Sequence, residues 1–259
     1  MHSYKAPLED MRFLLDNCVD GEDASFILSQ AAQFVENELA PINRVCDEQG
    51  CQFDLTYQQQ TYACAIPLLG QHNVLNALSV MAAGIALNLD VDAIITQLKT
   101  MPTVAGRLQW VEGAGGIRII NDSYNASPAS VKAAIDVLAL WKEKAWLVMG
   151  DMAELGEDSA AIHAEMGEYA QQKGIANFVA TGVACRYAVE AFKQVQTIEE
   201  PTNRNAHWFE QQENLLTYIN ENKQPDQIFL VKGSRSAGMD RIVSALSLIS
   251  AVKNGEEEV

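Results

Sequence analysis

The sequence predicts an α/β fold in which a mostly parallel β-sheet is covered by helices on both faces. Three observations predict it. From Leu108 onward, short apolar runs alternate with longer amphipathic segments, and repeated strand–helix units close into a parallel sheet with helical crossovers. The chain has 259 residues, 48% of them hydrophobic, which suits one large domain or two ordinary ones with real cores. The most polar loops follow the apolar runs, on the edge where a parallel sheet binds its ligands.

Residues 1 to about 45 carry little pattern. Leu8–Cys18 reads as a short helix, and Ser25–Leu28 or Gln33–Val35 as short strands. Cys51–Tyr57 alternates with period two, and Thr61–Ile66 does so less cleanly. Asp47–Gly50 and Gln58–Gln60 fit turns around these strands. Asn73–Leu89 puts Val74, Leu78, Met81 and Ile85 on one helical face, and Asp90 caps a second helix to Leu98. Met101-Pro102-Thr103 marks a boundary between residues 1–102 and 103–259.

Beyond it, Leu108–Val111 and Ile117–Ile120 read as a hairpin through Gly113–Gly116. Helix Ala129–Leu140 follows, with Ser127 as cap and Pro128 as its first residue. Then come strand Ala145–Met149, helix Ala160–Lys173, strand Asn177–Ala180 and helix Ala184–Lys193. Strand Ala206–Phe209, helix Gln212–Asn220, strand Gln227–Val231 and helix Met239–Val252 complete the series. The tail Asn254–Val259 is acidic and reads as frayed.

The formal charge of −16 excludes a broad nucleic-acid surface, which needs a basic footprint. The five cysteines are odd in number and lack CxxC spacing. They are expected as free thiols of a reducing cytoplasm, with no zinc site. No apolar run is long enough to span a membrane, and the N-terminus has no signal-peptide pattern. His163 and His207 stand alone and read as surface or packing residues. There is no GxxxxGK[S/T], GxGxxG or HExxH in the sequence.

Four loops would share the ligand edge: Asp122–Asn125, Gly150–Gly156, Thr181-Gly182 and Lys232–Ser236. Their carboxylates and two cations suit a zwitterionic or mixed-charge substrate, although capping and turn formation also explain each loop alone. In so acidic a chain, Lys232 and Arg235 are candidate contacts for a carboxylate or phosphate, Arg235 by a bidentate fork. His72 and Asn73, at a helix start, read as caps or as contacts to a planar base. Arg107 reads as an exposed linker residue or a phosphate contact.

Five motifs occur in one order: Gly70–Ala77, Gly106-Arg107-Leu108, Asn121–Pro128 (Asn-Asp-Ser-Tyr-Asn-Ala-Ser-Pro), Gly150–Gly156 and Val231–Arg235. Over roughly residues 50–250 the chain resembles the Mur ligases of peptidoglycan synthesis. The resemblance implies that residues 1–102 are the tail of a central ATP-binding domain, and that 103–259 form the family's Rossmann-like C-terminal α/β domain. The Asp-Ser-Tyr-Asn-Ala-Ser-Pro string is similar to the branch that joins D-Ala-D-Ala to UDP-MurNAc-tripeptide. That reaction is ATP-dependent amide formation, with ATP and magnesium in the full-length enzyme.

By the same resemblance, His72, Asn73, Arg107, Asp122, Tyr124 and Asn125 would lie near the nucleotide. Asp151, Glu154, Lys232, Ser234 and Arg235 would place the dipeptide. The family's P-loop, magnesium ligands and carbamylated lysine are missing from these residues, so this chain alone is expected to be inactive and to bind no cofactor tightly. A cytoplasmic monomer without membrane insertion is expected. Two other readings compete: a folylpolyglutamate-synthase-like ligase, and a non-catalytic nucleotide- or peptide-binding module.

Overall fold

The computed structural model describes residues 39, 41–194 and 204–247. The segments expected at Leu8–Cys18, Ser25–Leu28, Gln33–Val35 and Asn254–Val259 lie outside them. The chain divides into two compact units, Met1–Pro102 and Thr103–Val259.

The first unit is an antiparallel meander with two helices. Strands β1 (Pro41–Asp47), β2 (Gly50–Tyr57) and β3 (Gln60–Ile66) pair in that order. Cys51, Phe53 and Leu55 of β2 and Cys64 and Ile66 of β3 point into one core, as period-two alternation requires. Helix α1 (Gln71–Ala86) buries Val74, Ala77, Leu78, Met81 and Ile85 there. Helix α2 (Val91–Leu98) adds Ile94, Ile95 and Leu98, and Asp90 caps it by accepting the Ala93 N–H at 2.9 Å.

One expectation fails in this unit. Cys46 and Cys51 are not free thiols: they are register partners across the β1–β2 turn, 4.1 Å apart at Cα, and they form a disulfide. Their even placement about the Asp47–Gly50 turn carried that signal. Cys64 remains a thiol, and burial pushes its pKa up to about 11.

The second unit is a six-stranded sheet. Its strands are β4 (Gln109–Glu112), β5 (Arg118–Asp122), β6 (Ala145–Met149), β7 (Asn177–Thr181), β8 (Asn205–Phe209) and β9 (Ile228–Lys232). Their order is β4-β5-β9-β6-β7-β8, with only β4 antiparallel. Every residue of β6 and of β9 is buried, as befits central strands covered on both faces.

Helices α3 (Pro128–Leu138), α4 (Ser159–Gln172) and α5 (Cys185–Gln194) pack successively against one another along one face. Helices α6 (Gln212–Asn222) and α7 (Asp240–Leu246) bury Leu215, Ile219, Ile242 and Leu246 against Trp146, Val148, Phe229 and Val231 on the other. The last helix stops at Leu246, short of the expected Val252, because Ser247 is extended and bridges to Gly113. The chain steps outward from β5 through β8 and then returns to lay β9 between β5 and β6. That return makes a topological switch point, with α3 and α7 leaving adjacent strands toward opposite faces.

Candidate functional site

The loops at the carboxyl ends of β5, β6, β7 and β9 meet at this switch point. Asp122 closes β5 and Lys232 closes β9, and the two are register neighbours in adjacent parallel strands. Their side chains therefore stand side by side. Lys232 Nζ donates to Asp122 Oδ2 at 2.6 Å and to the Asn125 carbonyl at 2.9 Å. Asp122 Oδ1 accepts the Leu108 N–H at 3.1 Å. Lys232 is only 2% exposed. Burial lowers its ammonium from the usual lysine value, Asp122 raises it, and Arg107 lowers it further. Lys232 is thus a buried cation knitting two loops together. Both Asp122 oxygens are engaged by protein groups.

The loop after β6 shows the same pattern. The Asp151 carboxylate accepts the N–H groups of Ala184 and Cys185 at 3.1 and 2.8 Å, so it caps α5 from a neighbouring loop. Gly182 (φ +107°) makes room, since a Cβ there would fall 2.4 Å from the Asp151 carboxyl carbon. The Asp151 carbonyl accepts both the N–H and the hydroxyl of Ser234, at 2.9 and 2.7 Å. Asp151 and Ser234 therefore fix the loops to one another, Asp151 also capping α5.

Of the two readings of His163, the packing one holds: it is fully buried. Its Nδ1 lies 2.7 Å from the Ser159 carbonyl, so it carries the proton, and Nε2 accepts the Met152 N–H at 3.0 Å. Potential ligand atoms of Asp151, His163 and Cys185 lie within 4.8 Å of one another. The histidine nitrogens and the carboxylate already serve backbone groups, and burial beside Asp151 raises the Cys185 thiol well above its usual value. That chemistry suits a structural network better than a metal centre.

The remaining predicted residues face outward. Tyr124, Asn125, Glu154, Arg107 and Arg235 are all exposed. The Tyr124 ring gathers two cations: the Arg107 guanidinium lies 4.7 Å from its centroid and that of Arg235 6.0 Å. Gly106 (φ +74°) accepts the Tyr124 N–H at 3.1 Å, and a Cβ on it would press within 3.2 Å of that nitrogen. A cleft of about 770 Å³ opens among Tyr124, Asn125, Glu154, Ser234, Arg235 and Ser236. It sets a guanidinium and a carboxylate on one surface. His72 and Asn73 belong to the first unit. There Asn73 Nδ2 donates to the Leu69 carbonyl at 2.8 Å and its Oδ1 accepts from Asn76 at 3.0 Å, which is local helix-start bonding.

Two features escaped the sequence reading: the Lys232–Asp122 pair and the convergence of Arg107 and Arg235 on Tyr124. Both depend on which strands become neighbours. Neither has a local signal beyond the presence of the charges themselves.

Comparison with known proteins agrees with this architecture. The Mur ligase, glutamate ligase domain matches residues 106–235. The UDP-N-acetylmuramoyl-tripeptide–D-alanyl-D-alanine ligase of Escherichia coli (strain K12) is 35% identical over 199 residues, covering 76% of this chain and 42% of that protein. The Bacillus subtilis (strain 168) ligase of the same name is 32% identical over 202 residues, covering 77% of this chain and 42% of its own length. A crystal structure of MurF from Acinetobacter baumannii superimposes with a TM-score of 0.69 at 27% identity, over 79% of this chain and 43% of that one. The chain thus spans less than half the length of the relatives it matches. With half of its residues matched by the family's own domain, on the sheet that carries the site, the chain belongs to the Mur ligase family.

Proposed function

We propose that this chain supplies the C-terminal α/β domain, and the tail of the central ATP-binding domain, of a ligase that joins D-Ala-D-Ala to UDP-MurNAc-tripeptide. The observation that carries this reading is the 35% identity over 199 residues to the E. coli enzyme of that name. In this reading residues 103–259 are the ligase C-terminal domain and residues 1–102 the central-domain remnant; the division into units at Pro102/Thr103 supports it. A cytoplasmic location fits that chemistry, and no described helix is long and apolar enough to cross a membrane.

The residues present fit only part of the cofactor's needs. Arg107, exposed and resting on Tyr124, fits a nucleotide phosphate contact, and Tyr124 and Asn125 fit the same neighbourhood. When bound, ATP would supply the phosphoryl group that activates the tripeptide carboxylate. No Walker A sequence occurs within residues 1–259, so the backbone cradle and lysine that such a loop puts around the β- and γ-phosphates are not among them.

For the dipeptide, the cleft with Arg235 and Glu154 offers a guanidinium for the carboxylate and a carboxylate for the amine. Lys232 and Asp151 act behind it by fixing the loops, and Ser234 both lines it and holds its loop to the Asp151 carbonyl. Calorimetric titration of the 259-residue chain with D-Ala-D-Ala tests this. Binding should weaken on Arg235→Lys, which keeps charge but loses the planar fork. N-acetylation of the dipeptide should weaken binding to the wild type and not to Glu154→Gln. A dipeptide affinity indifferent to both residues would remove this cleft from the reading. A non-catalytic binding module would bind the dipeptide equally well, and a ligase assay on a longer polypeptide bearing the P-loop separates the two.

A further inference from the structure

The imidazole of His163 bonds to both ends of one loop. Nε2 accepts the Met152 N–H at 3.0 Å, just after β6, and Nδ1–H donates to the Ser159 carbonyl at 2.7 Å, where α4 begins. Between those two points the chain supplies Ala153, Glu154 and Leu155 to the cleft that also holds Arg235. We propose that His163 is the positioning residue of this cleft: its Nδ1–H tautomer holds the loop in the shape that presents Glu154 to the amine of a dipeptide. The proposal rests on the dipeptide reading above for the identity of the ligand, while the shape of the loop is measurable without any ligand.

Three observations carry it. First, the ring is fully buried, and a buried imidazole is costly unless both nitrogens are satisfied. A leucine would fill a similar volume without that requirement. Here both nitrogens are spent on backbone groups that begin and end the loop, and the Ser159 hydroxyl stands farther off, 3.5 Å from Nδ1.

Second, the loop is held in a conformation it would not choose. Glu154 has φ +62°, in the left-handed region that non-glycine residues rarely enter and that persists only where the surroundings impose it. Glu154 is exposed, and neither it nor Ala153 makes a hydrogen bond among the described residues. The conformation is therefore imposed from the flanks. On the β6 side the last fixed point before Ala153 is Met152, with a buried side chain and its N–H on His163. Asp151, one residue earlier, is tied to Ser234 and to the start of α5.

Third, only one tautomer can do this. The Met152 N–H is a donor, so Nε2 must be bare, and the Ser159 carbonyl is an acceptor, so Nδ1 must carry the proton. A proton on Nε2 would set donor against donor. It would also turn toward Asp151 Oδ1, 3.9 Å away, an oxygen that the N–H groups of Ala184 and Cys185 already use. The ring thus has one state that keeps the loop start, the cap of α5 and the loop end together.

The test uses the full chain, isotope-labelled for NMR. The ring of His163 in the wild type should show a bare Nε2 and a protonated Nδ1, and a proton on Nε2 overturns the proposal. Two variants separate positioning from packing. His163→Gln carries an acceptor out to the place of Nε2, whereas His163→Asn reaches only the place of Nδ1. In His163→Asn the Met152 amide should exchange about ten-fold faster or more, the scale of one lost hydrogen bond to a buried group, and the Glu154 amide signal should move. His163→Gln should restore both. With D-Ala-D-Ala as the probe, affinity should fall about ten-fold in His163→Asn, the scale of one charge-assisted contact, and return in His163→Gln. The N-acetylated dipeptide, which has no amine for Glu154, should bind the variants and the wild type alike. A histidine that only packs would give the two variants the same lowered melting temperature with Glu154 unmoved in both, and that result overturns the proposal. If His163→Asn does not fold, the wild-type tautomer and the Met152 exchange in His163→Gln still decide. If the wild type binds no dipeptide, the ligand reading fails by itself: a moved Glu154 signal in His163→Asn upholds the positioning role, and an unmoved one removes it.

Discussion

Asp122→Ala should destabilise the second unit by about 3–5 kcal/mol, the usual cost of leaving a buried charge without its partner. The magnitude follows from the geometry. Lys232 is 2% exposed and its ammonium has two acceptors, Asp122 Oδ2 at 2.6 Å and the Asn125 carbonyl at 2.9 Å. Removing Asp122 deletes the charged acceptor and leaves the neutral one, and it also orphans the Leu108 N–H. The lysine can escape by giving up its proton, because burial already lowers its pKa and Asp122 is what raises it. Each unit between the solution pH and the residual pKa then costs about 1.4 kcal/mol.

This gives the effect a pH signature. A lysine depressed in the folded state binds fewer protons there than in the unfolded chain, so its linkage makes stability rise with pH between the folded value and the ordinary lysine value of 10.5. In Asp122→Ala that window opens at lower pH than in wild type. The penalty measured by urea unfolding should therefore shrink from pH 7 toward pH 10. Lys232→Met alone leaves a carboxylate unpaired, while the double variant Asp122→Ala/Lys232→Met should recover most of the loss. A stability unchanged by Asp122→Ala, together with loss of nucleotide binding, would refute the structural role and return Asp122 to the ribose.

Three further outcomes are expected. The chain alone should release no phosphate above background when given UDP-MurNAc-tripeptide, ATP, magnesium and D-Ala-D-Ala, because residues 1–259 hold no Walker A sequence; substrate-dependent turnover in a phosphate-release assay would contradict this. Residues 103–259, expressed alone, should unfold cooperatively with their own core, and a molten circular-dichroism signature would count against it. Burial and Lys193 lower the His207 pKa below 6.5, so its contribution to stability is present above 6.5 and is lost as pH falls through the folded value. His207→Phe, replacing a ring packed 4.5 Å from Tyr218, should flatten that acid limb in urea titrations at pH 7 and pH 5; identical slopes in the two proteins would remove His207 as the cause.

Local pattern and long-range pairing were not equally legible in this sequence. Strand Ala145–Met149 was read to the residue because a continuous apolar run between polar turns admits few alternatives. The caps at Asp90 and Ser127 were legible because capping is settled within four residues. Strand β1 was not read at all: it is an edge strand, with Ile42 and Val45 exposed, and it lacks the half-buried alternation that reveals a strand. The placement of β9 between β5 and β6 was equally hidden, since strand order is set by helix packing and crossover handedness rather than by any residue of β9. The pairing of Lys232 with Asp122 and of Ser234 with Asp151 follows from that one insertion. With β9 central, Lys232 falls inside the sheet edge beside Asp122, and its loop brings Ser234 onto the Asp151 carbonyl.

The consequence for recognition is a division of labour among the charges. A carboxylate that must cap a helix or neutralise a buried lysine is held in a fixed place, and a group so held gains little by turning toward a ligand. Asp122, Asp151 and Lys232 are of this kind. They make the four loops rigid, which is what a site needs behind its contacts if the contacts are to be preorganised. The groups left over, Arg107, Arg235 and Glu154, are long, exposed and without ion pairs among the described residues, and the Tyr124 ring orients two of them. Tyr124 is therefore the residue whose loss should separate the two layers. Tyr124→Ala leaves every hydrogen bond of Asp122, Asp151 and Lys232 in place, so the melting temperature should hold. It also frees two guanidinium groups from their common support, so affinities for a nucleotide phosphate and for the dipeptide should fall together. A melting temperature that falls while both affinities stay constant would show that Tyr124 belongs to the scaffold and that the arginines orient themselves.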